Sequence, residues 1–325
     1  MLKDCQFCSV ISKNNGEDPI GTASTHDYWL FIDLPLPWIF ENWRRDPVMG
    51  QLIALFEWLI LKKGVKLRPL AIAPDADYSQ PGYHRILFYH RPSRLFSRYQ
   101  KREYLVPTER LRNAVNALLQ FPERLVEFEI YQQHVHTRDL FICTHGNVDV
   151  ACARFGNPIY NALRADYTSP TLRVWRCSHF GGHRFAPTLI DLPVGQFFGH
   201  IGFEQLDPLI HRQGDWQQLR NCYRGWAGVD PMAQIAEREI WMRLGWPWLD
   251  YAKATLGAAN LAPVPTAAAA ITTVQIEFQD IQGEKGTYDV EIESIEAVET
   301  ASKSGVDMKL EKVKQYRAVK VTFAQ

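Results

Sequence analysis

A chain of 325 residues, 46% of them hydrophobic, has ample apolar surface for packed cores and room for two domains, or two and a smaller one, at about 150 residues each. Its 36 Lys+Arg balance 36 Asp+Glu, so it lacks the broad basic field that nucleic-acid binders draw on. Six cysteines are too few for a disulfide scaffold at this length, the first residues carry no apolar secretory segment, and the longest apolar run, Val48 to Leu61, falls short of the ~20 residues of a membrane span. A cytoplasmic, reducing setting with no membrane span is expected, where clustered Cys and His point to metal or catalysis rather than to disulfides.

In chain order, residues 1–24 read as an N-terminal arm with a turn cluster at Asn14-Asn15-Gly16-Glu17-Asp18-Pro19. A first domain, 25–125, opens on the apolar strand Tyr28 to Leu34. Asp46-Pro47 then marks an N-cap with Pro at the first helical position, for a helix to about Leu61. Strands follow at Leu67 to Ala73, Ile86 to Tyr89 and Arg98 to Val106, and Thr108 caps a helix through Leu119. The order is β-α-β-β-β-α.

A second domain, 126–220, repeats that order: a strand ending at Leu140 to Cys143, a loop, a helix around Pro158 to Arg164, and a strand at Leu172 to Cys177. A hairpin of Arg184 to Ile190 and Gly195 to Ile201 and a helix from Phe203 to Arg212 complete it. Leu30-Phe31-Ile32-Asp33 echoes Leu140-Phe141-Ile142-Cys143, and Gly82-Tyr83-His84-Arg85 echoes Gly181-Gly182-His183-Arg184, which suggests a duplication. The first copy carries Asp33 where the second carries Cys143, so it reads as a scaffold rather than a site. A helical extension, 221–256, contains a helix capped by Asp230-Pro231 and running to Leu244. Residues 257–270 have linker composition, and 271–325 form a small β domain with alternating strands at Val274 to Phe278, Tyr288 to Ile295 and Tyr316 to Phe323. The fold class is α/β with a small C-terminal antiparallel β appendage.

Four residues carry the chemistry: Cys143, Cys152, His179 and His183. The two cysteines sit eight residues apart in the loop past a strand end, and the two histidines follow the next strand around a Gly181-Gly182 bend. Two thiolates and two imidazoles suit a metal. Structural zinc takes Cys2His2, but with ligands closer together in sequence than Cys143 and Cys152. An iron–sulfur cluster spreads its ligand pairs wider, and two histidines can replace two cysteines on one iron. Cys143-Thr144-His145 and Cys177-Ser178-His179 each read C-x-H, but a Rieske centre needs an all-β fold, whereas this unit alternates strand and helix.

Cys143-x8-Cys152 followed by His179-x-Gly181-Gly182-His183 resembles the motif of the bis-histidinyl thioredoxin-like ferredoxins, the sucrase/ferredoxin-like family. The likeness is specific over Leu140 to Arg212, looser over Phe7 to Pro37 and Asn221 to Gly245, and does not reach past Gly257. It implies tandem thioredoxin-like units, the second a thioredoxin-like ferredoxin. It also implies a [2Fe-2S] cluster with Cys143 and Cys152 on one iron and His179 and His183 on the other. Relatives with four cysteines place their last two ligands four positions apart, which favours His179 and His183 over Cys177 or His145. Two thiolates leave the oxidised centre neutral where four make it a dianion, so its potential should lie above that of plant-type ferredoxins. The expected activity is electron transfer or redox sensing with a redox partner protein. The competing reading is a zinc-binding Cys2His2 structural module without redox chemistry.

The remaining candidates read as structure. Cys177 and Cys222 are expected in the core, and His84 as a structural echo. Cys5-x-x-Cys8 has redox-motif spacing, but no preceding strand mounts it at a helix start. Arg154, Arg176 and Arg184 are expected exposed, and Trp241, Trp246 and Trp248 as packing. No carboxylate pair stands in a frame suited to glycoside hydrolysis, so sucrase activity is not expected, and an electron carrier is favoured over an enzyme with its own substrate.

Overall fold

The computed structural model describes residues 5–135, 137–256 and 271–324. A short helix, α1 (Cys8–Asn14), precedes a first half made of β1 (Tyr28–Asp33), α2 (Phe40–Arg45), α3 (Pro47–Glu57), β2 (Leu67–Ile72), β3 (Tyr83–His90), β4 (Gln100–Pro107) and α4 (Leu111–Leu119). The second half repeats the pattern with β5 (Arg138–Cys143), α5 (Val150–Asp166), β6 (Leu172–Cys177), β7 (Leu189–Leu192), β8 (Gln196–Phe198) and α6 (Leu206–His211). Then come β9 (Tyr223–Trp226), α7 (Pro231–Leu244), β10 (Ala252–Thr255), β11 (Thr272–Gln279), β12 (Lys285–Ala301) and β13 (Leu310–Ala324). The expected linker at 257–270 lies outside the described residues.

The two halves share one nine-stranded sheet, ordered β4-β3-β1-β2-β6-β5-β7-β8-β9. In each half the first two strands are parallel, as a crossover helix requires, and the third returns antiparallel beside the first. The halves meet at β2 and β6, antiparallel, where Ile72 faces Cys177. The echoed segments come together there: Phe31 and Phe141 stack with ring centroids 3.8 Å apart. The alternation along β1 explains why. Leu30 and Ile32 pack with the core under α3 and α4, while Trp29 and Phe31 turn to the core shared with the second half. Both faces of the strand are buried, which makes it apolar throughout.

A buried charge network also crosses between the halves. Arg173 donates to Glu103 at 2.7 Å and to Asp139 at 2.9 Å, and Lys101 and Arg85 also pair with these carboxylates. The α/β class and the separate C-terminal antiparallel sheet agree with the sequence reading.

Four local details differ from it. Helix α5 starts at Val150, eight residues before Pro158, because the Asp149 carboxylate caps it by accepting from Ala151 N–H at 2.9 Å. The hairpin strands are shorter than expected: His183 to Phe185 form a single 3-10 turn ahead of β7. Residues 221–256 are not wholly helical, since β9 edges the large sheet and β10 gives the small sheet a fourth strand. Both are four residues long, too short to show a period. Finally, the described part of the N-terminal arm packs into the body, with Cys8 and Ser12 fully buried. No helix among the described residues is long and apolar enough to cross a membrane.

Candidate metal centre

Cys143 is the last residue of β5, and Cys152 lies in the first turn of α5 rather than in a loop. What brings them together is Gly156, one turn further along the same helix face. A β-carbon there would stand 2.1 Å from the Cys143 carbonyl oxygen, so only glycine lets α5 seat against the end of β5. Both cysteines are buried, at 1% and 0% exposure. The Nδ1 atom of His179 lies 3.8 Å from Cys143 Sγ and 3.7 Å from Cys152 Sγ. Burial opposes ionisation of Cys143, but hydrogen bonds from the Cys152 thiol and the His179 ring hold it well below the ordinary thiol range. Cys152, donating to Cys143 and itself buried, is held above that range. One of the two sulfurs is thus ready to be a thiolate, the form that binds metal.

The first half pins the histidine loop. Ser178 N–H donates to Ala71 O at 2.8 Å, and Arg68 donates to His179 O at 3.1 Å. His145 donates through Nε2 to Trp38 O at 3.0 Å, leaving Nδ1 to accept from His179 N–H at 3.4 Å. Both nitrogens of His145 are thereby occupied, so its ring offers a metal no free donor. Gly181 and Gly182 have φ of 98° and 80°, and Gly182 is pressed against the Arg224 guanidinium. That guanidinium donates to Gly181 O at 3.1 Å and to Thr22 O at 2.6 Å.

His183, half-exposed like His179, stands beside it with ring centroids 5.5 Å apart. Its Nε2 lies 2.7 Å from Ser302 O. A carbonyl only accepts, so in the neutral ring Nε2 carries the proton and Nδ1 the lone pair. That Nδ1 is buried and has no hydrogen-bond partner. Metal-binding histidines are oriented in this way, the other ring nitrogen donating to a fixed acceptor. The donor atoms fall into two adjacent groups, each within 4.8 Å: Cys143, Cys152 and His179, and Cys8, Asp149 and His183.

Residues 19–225 match the sucrase/ferredoxin-like family model, close to two-thirds of the chain. The chain belongs to the sucrase/ferredoxin-like family. Comparison with curated proteins and with solved structures gives no match. The family match takes in all four residues read from the spacing, together with Arg68 and Arg224. It leaves out Cys8 and the loop carrying Ser302 and Ser304, which belong to the second donor group and its hydrogen bonds.

Sequence reasoning passed over several contributors at this candidate centre. Asp149 was discoverable as an N-cap, but Pro158 drew the predicted helix start away from it. Arg224 is 2% exposed, and burial, reinforced by Arg184, pushes its guanidinium down to about 10. A lone charge inside the apolar Tyr223-to-Trp226 run was its one signal. Ser302 and Ser304 carried none. Of the expected exposed arginines, Arg154 is exposed, Arg176 lies 4.6 Å over the Tyr160 ring, and Arg184 pairs with Glu17 at 2.9 Å. Cys177 and Cys222 are buried, as are Trp241 and Trp248.

Proposed function

We propose that this sucrase/ferredoxin-like protein carries electrons, or senses redox state, through a [2Fe-2S] cluster held by Cys143 and Cys152 on one iron and His179 and His183 on the other. The observation that carries this reading is the free, buried Nδ1 of His183, its tautomer set by the Ser302 carbonyl, beside three further donors of the right types. The cluster would supply a one-electron couple. The chain's own residues hold the cysteines away from water and leave the histidines half-exposed, so the histidine edge is where a redox partner protein would dock. The buried guanidinium of Arg224 adds positive charge near the thiolates, which favours uptake of an electron.

A single zinc ion would draw four donors to within about 4 Å of one another. His183 is not grouped within 4.8 Å of Cys143, Cys152 and His179, which supports a core wider than a single ion. Anaerobic purification with iron and sulfide decides between them. The expected product is red-brown, holds two irons and two sulfides per chain, and bleaches in part with dithionite; Cys143→Ala should be colourless. A colourless wild type with one zinc per chain would sink the proposal.

A further inference from the structure

The second donor group contains a thiol that this ligand set does not use. Cys8 opens α1 and is fully buried. Its Sγ, an Asp149 carboxylate oxygen and a His183 ring nitrogen all lie within 4.8 Å of one another. Asp149 is already engaged: it caps α5 through Ala151 N–H, and it accepts from Ser304 N–H at 2.8 Å and Ser304 Oγ at 2.7 Å. The same serine fixes Cys8, whose N–H donates to Ser304 Oγ at 3.1 Å and whose Sγ lies 3.3 Å from it. The remaining contact of the sulfur is a long one, 3.8 Å to Asp149 Oδ2. So the imidazole keeps an unpartnered Nδ1, and beside it stands a sulfur held only by long contacts, 3.3 Å to Ser304 Oγ and 3.8 Å to Asp149 Oδ2.

We propose that Cys8 is a reserve ligand of the metal centre, able to take the position of His183. The proposal rests on the reading of Cys143, Cys152, His179 and His183 as the working set. Thiolate is a stronger donor to iron than imidazole, and it adds one negative charge to the ligand set. The neutral imidazole therefore keeps the potential high, and Cys8 would lower it wherever it replaces His183. The C-terminal hairpin, which lies outside the family match, places that sulfur through Ser304.

The test uses the full chain as wild type, Cys8→Ala, His183→Ala and the double variant, each loaded anaerobically with iron and sulfide. Thermal unfolding of the unloaded forms checks that each is folded; should His183→Ala fail there, His183→Gln replaces it. Wild type and Cys8→Ala should load equally. His183→Ala should keep at least half of the wild-type cluster, with a shifted electron paramagnetic resonance signal and a lower potential. The double variant should keep less than a tenth. Equal loading of His183→Ala and the double variant, at any level, overturns the reserve role. Failure of the wild type to load would instead count against the cluster reading. Cadmium reads Cys8 independently of that outcome: thiolate-to-metal absorption should be about half as large again in His183→Ala as in the double variant, because three thiolates bind rather than two. Equal absorption overturns the proposal.

Discussion

Gly156 shows how one missing side chain can build a site. The backbone oxygen that a β-carbon would meet at 2.1 Å cannot rotate away, so Gly156→Ala has to push α5 off the end of β5. We expect a loss of about 2–4 kcal/mol in urea unfolding, with cluster loading reduced in proportion to the folded fraction and altered in its spectrum. His200 offers a second test at this scale. Its ring is buried against Phe185 and lies 3.1 Å from Ser12 Oγ; burial, with Lys13 and Arg224 nearby, pushes its pKa down to about 4. The folded chain keeps it neutral, whereas the unfolded chain takes up a proton near pH 6.5. Stability is therefore full above pH 6.5 and falls as pH drops toward 4, by about 1.4 kcal/mol per pH unit from this residue. His26, also pushed down to about 4 by burial, acts in the same direction. Urea unfolding at pH 7 and pH 5 should show the drop, and His200→Gln should lessen it.

At the scale of elements, α5 and the C-terminal hairpin are joined through Asp149. Removing its carboxylate takes away the N-cap and the hydrogen bonds from Ser304 together. Asp149→Ala should cost about 2 kcal/mol in urea unfolding and speed proteolysis within the β12–β13 loop. The strands were legible because each is a run of apolar residues bounded by turn residues. The start of α5 was not, because Pro158 is the stronger helix-start signal in sequence and sits here inside the helix. The echoed Asp33 and His84 show what the first half does in place of chemistry. His84 Nδ1 contacts Asp33 O at 2.7 Å, and Arg85 N–H donates to the Asp33 carboxylate at 2.6 Å, so the pair ties β3 to the end of β1. Burial lowers the His84 pKa, but its contacts with Asp33 outweigh that and raise it.

Across the whole molecule, the halves are joined by one short strand pairing, a stacked aromatic pair and the buried charges around Arg173. Removing that guanidinium leaves Glu103 and Asp139 with only Lys101 and Arg85 to balance them. Arg173→Met should destabilise the protein by about 3 kcal/mol, measured by urea unfolding, because both buried carboxylates lose the hydrogen bonds its guanidinium donates, although their charges stay balanced. The sequence by itself determined the α/β class, the repeated element order, the small C-terminal sheet and the family, since these follow from local periodicity and from a motif whose spacing is written in the chain. Only the tertiary structure decided that the halves share one sheet, that the first half holds the histidine loop, and that Cys8, Asp149 and Ser302 meet His183. Those contacts, except that of Asp149 with His183, join residues more than a hundred positions apart, at sites where a single cysteine, aspartate or serine has no local pattern to reveal its partner.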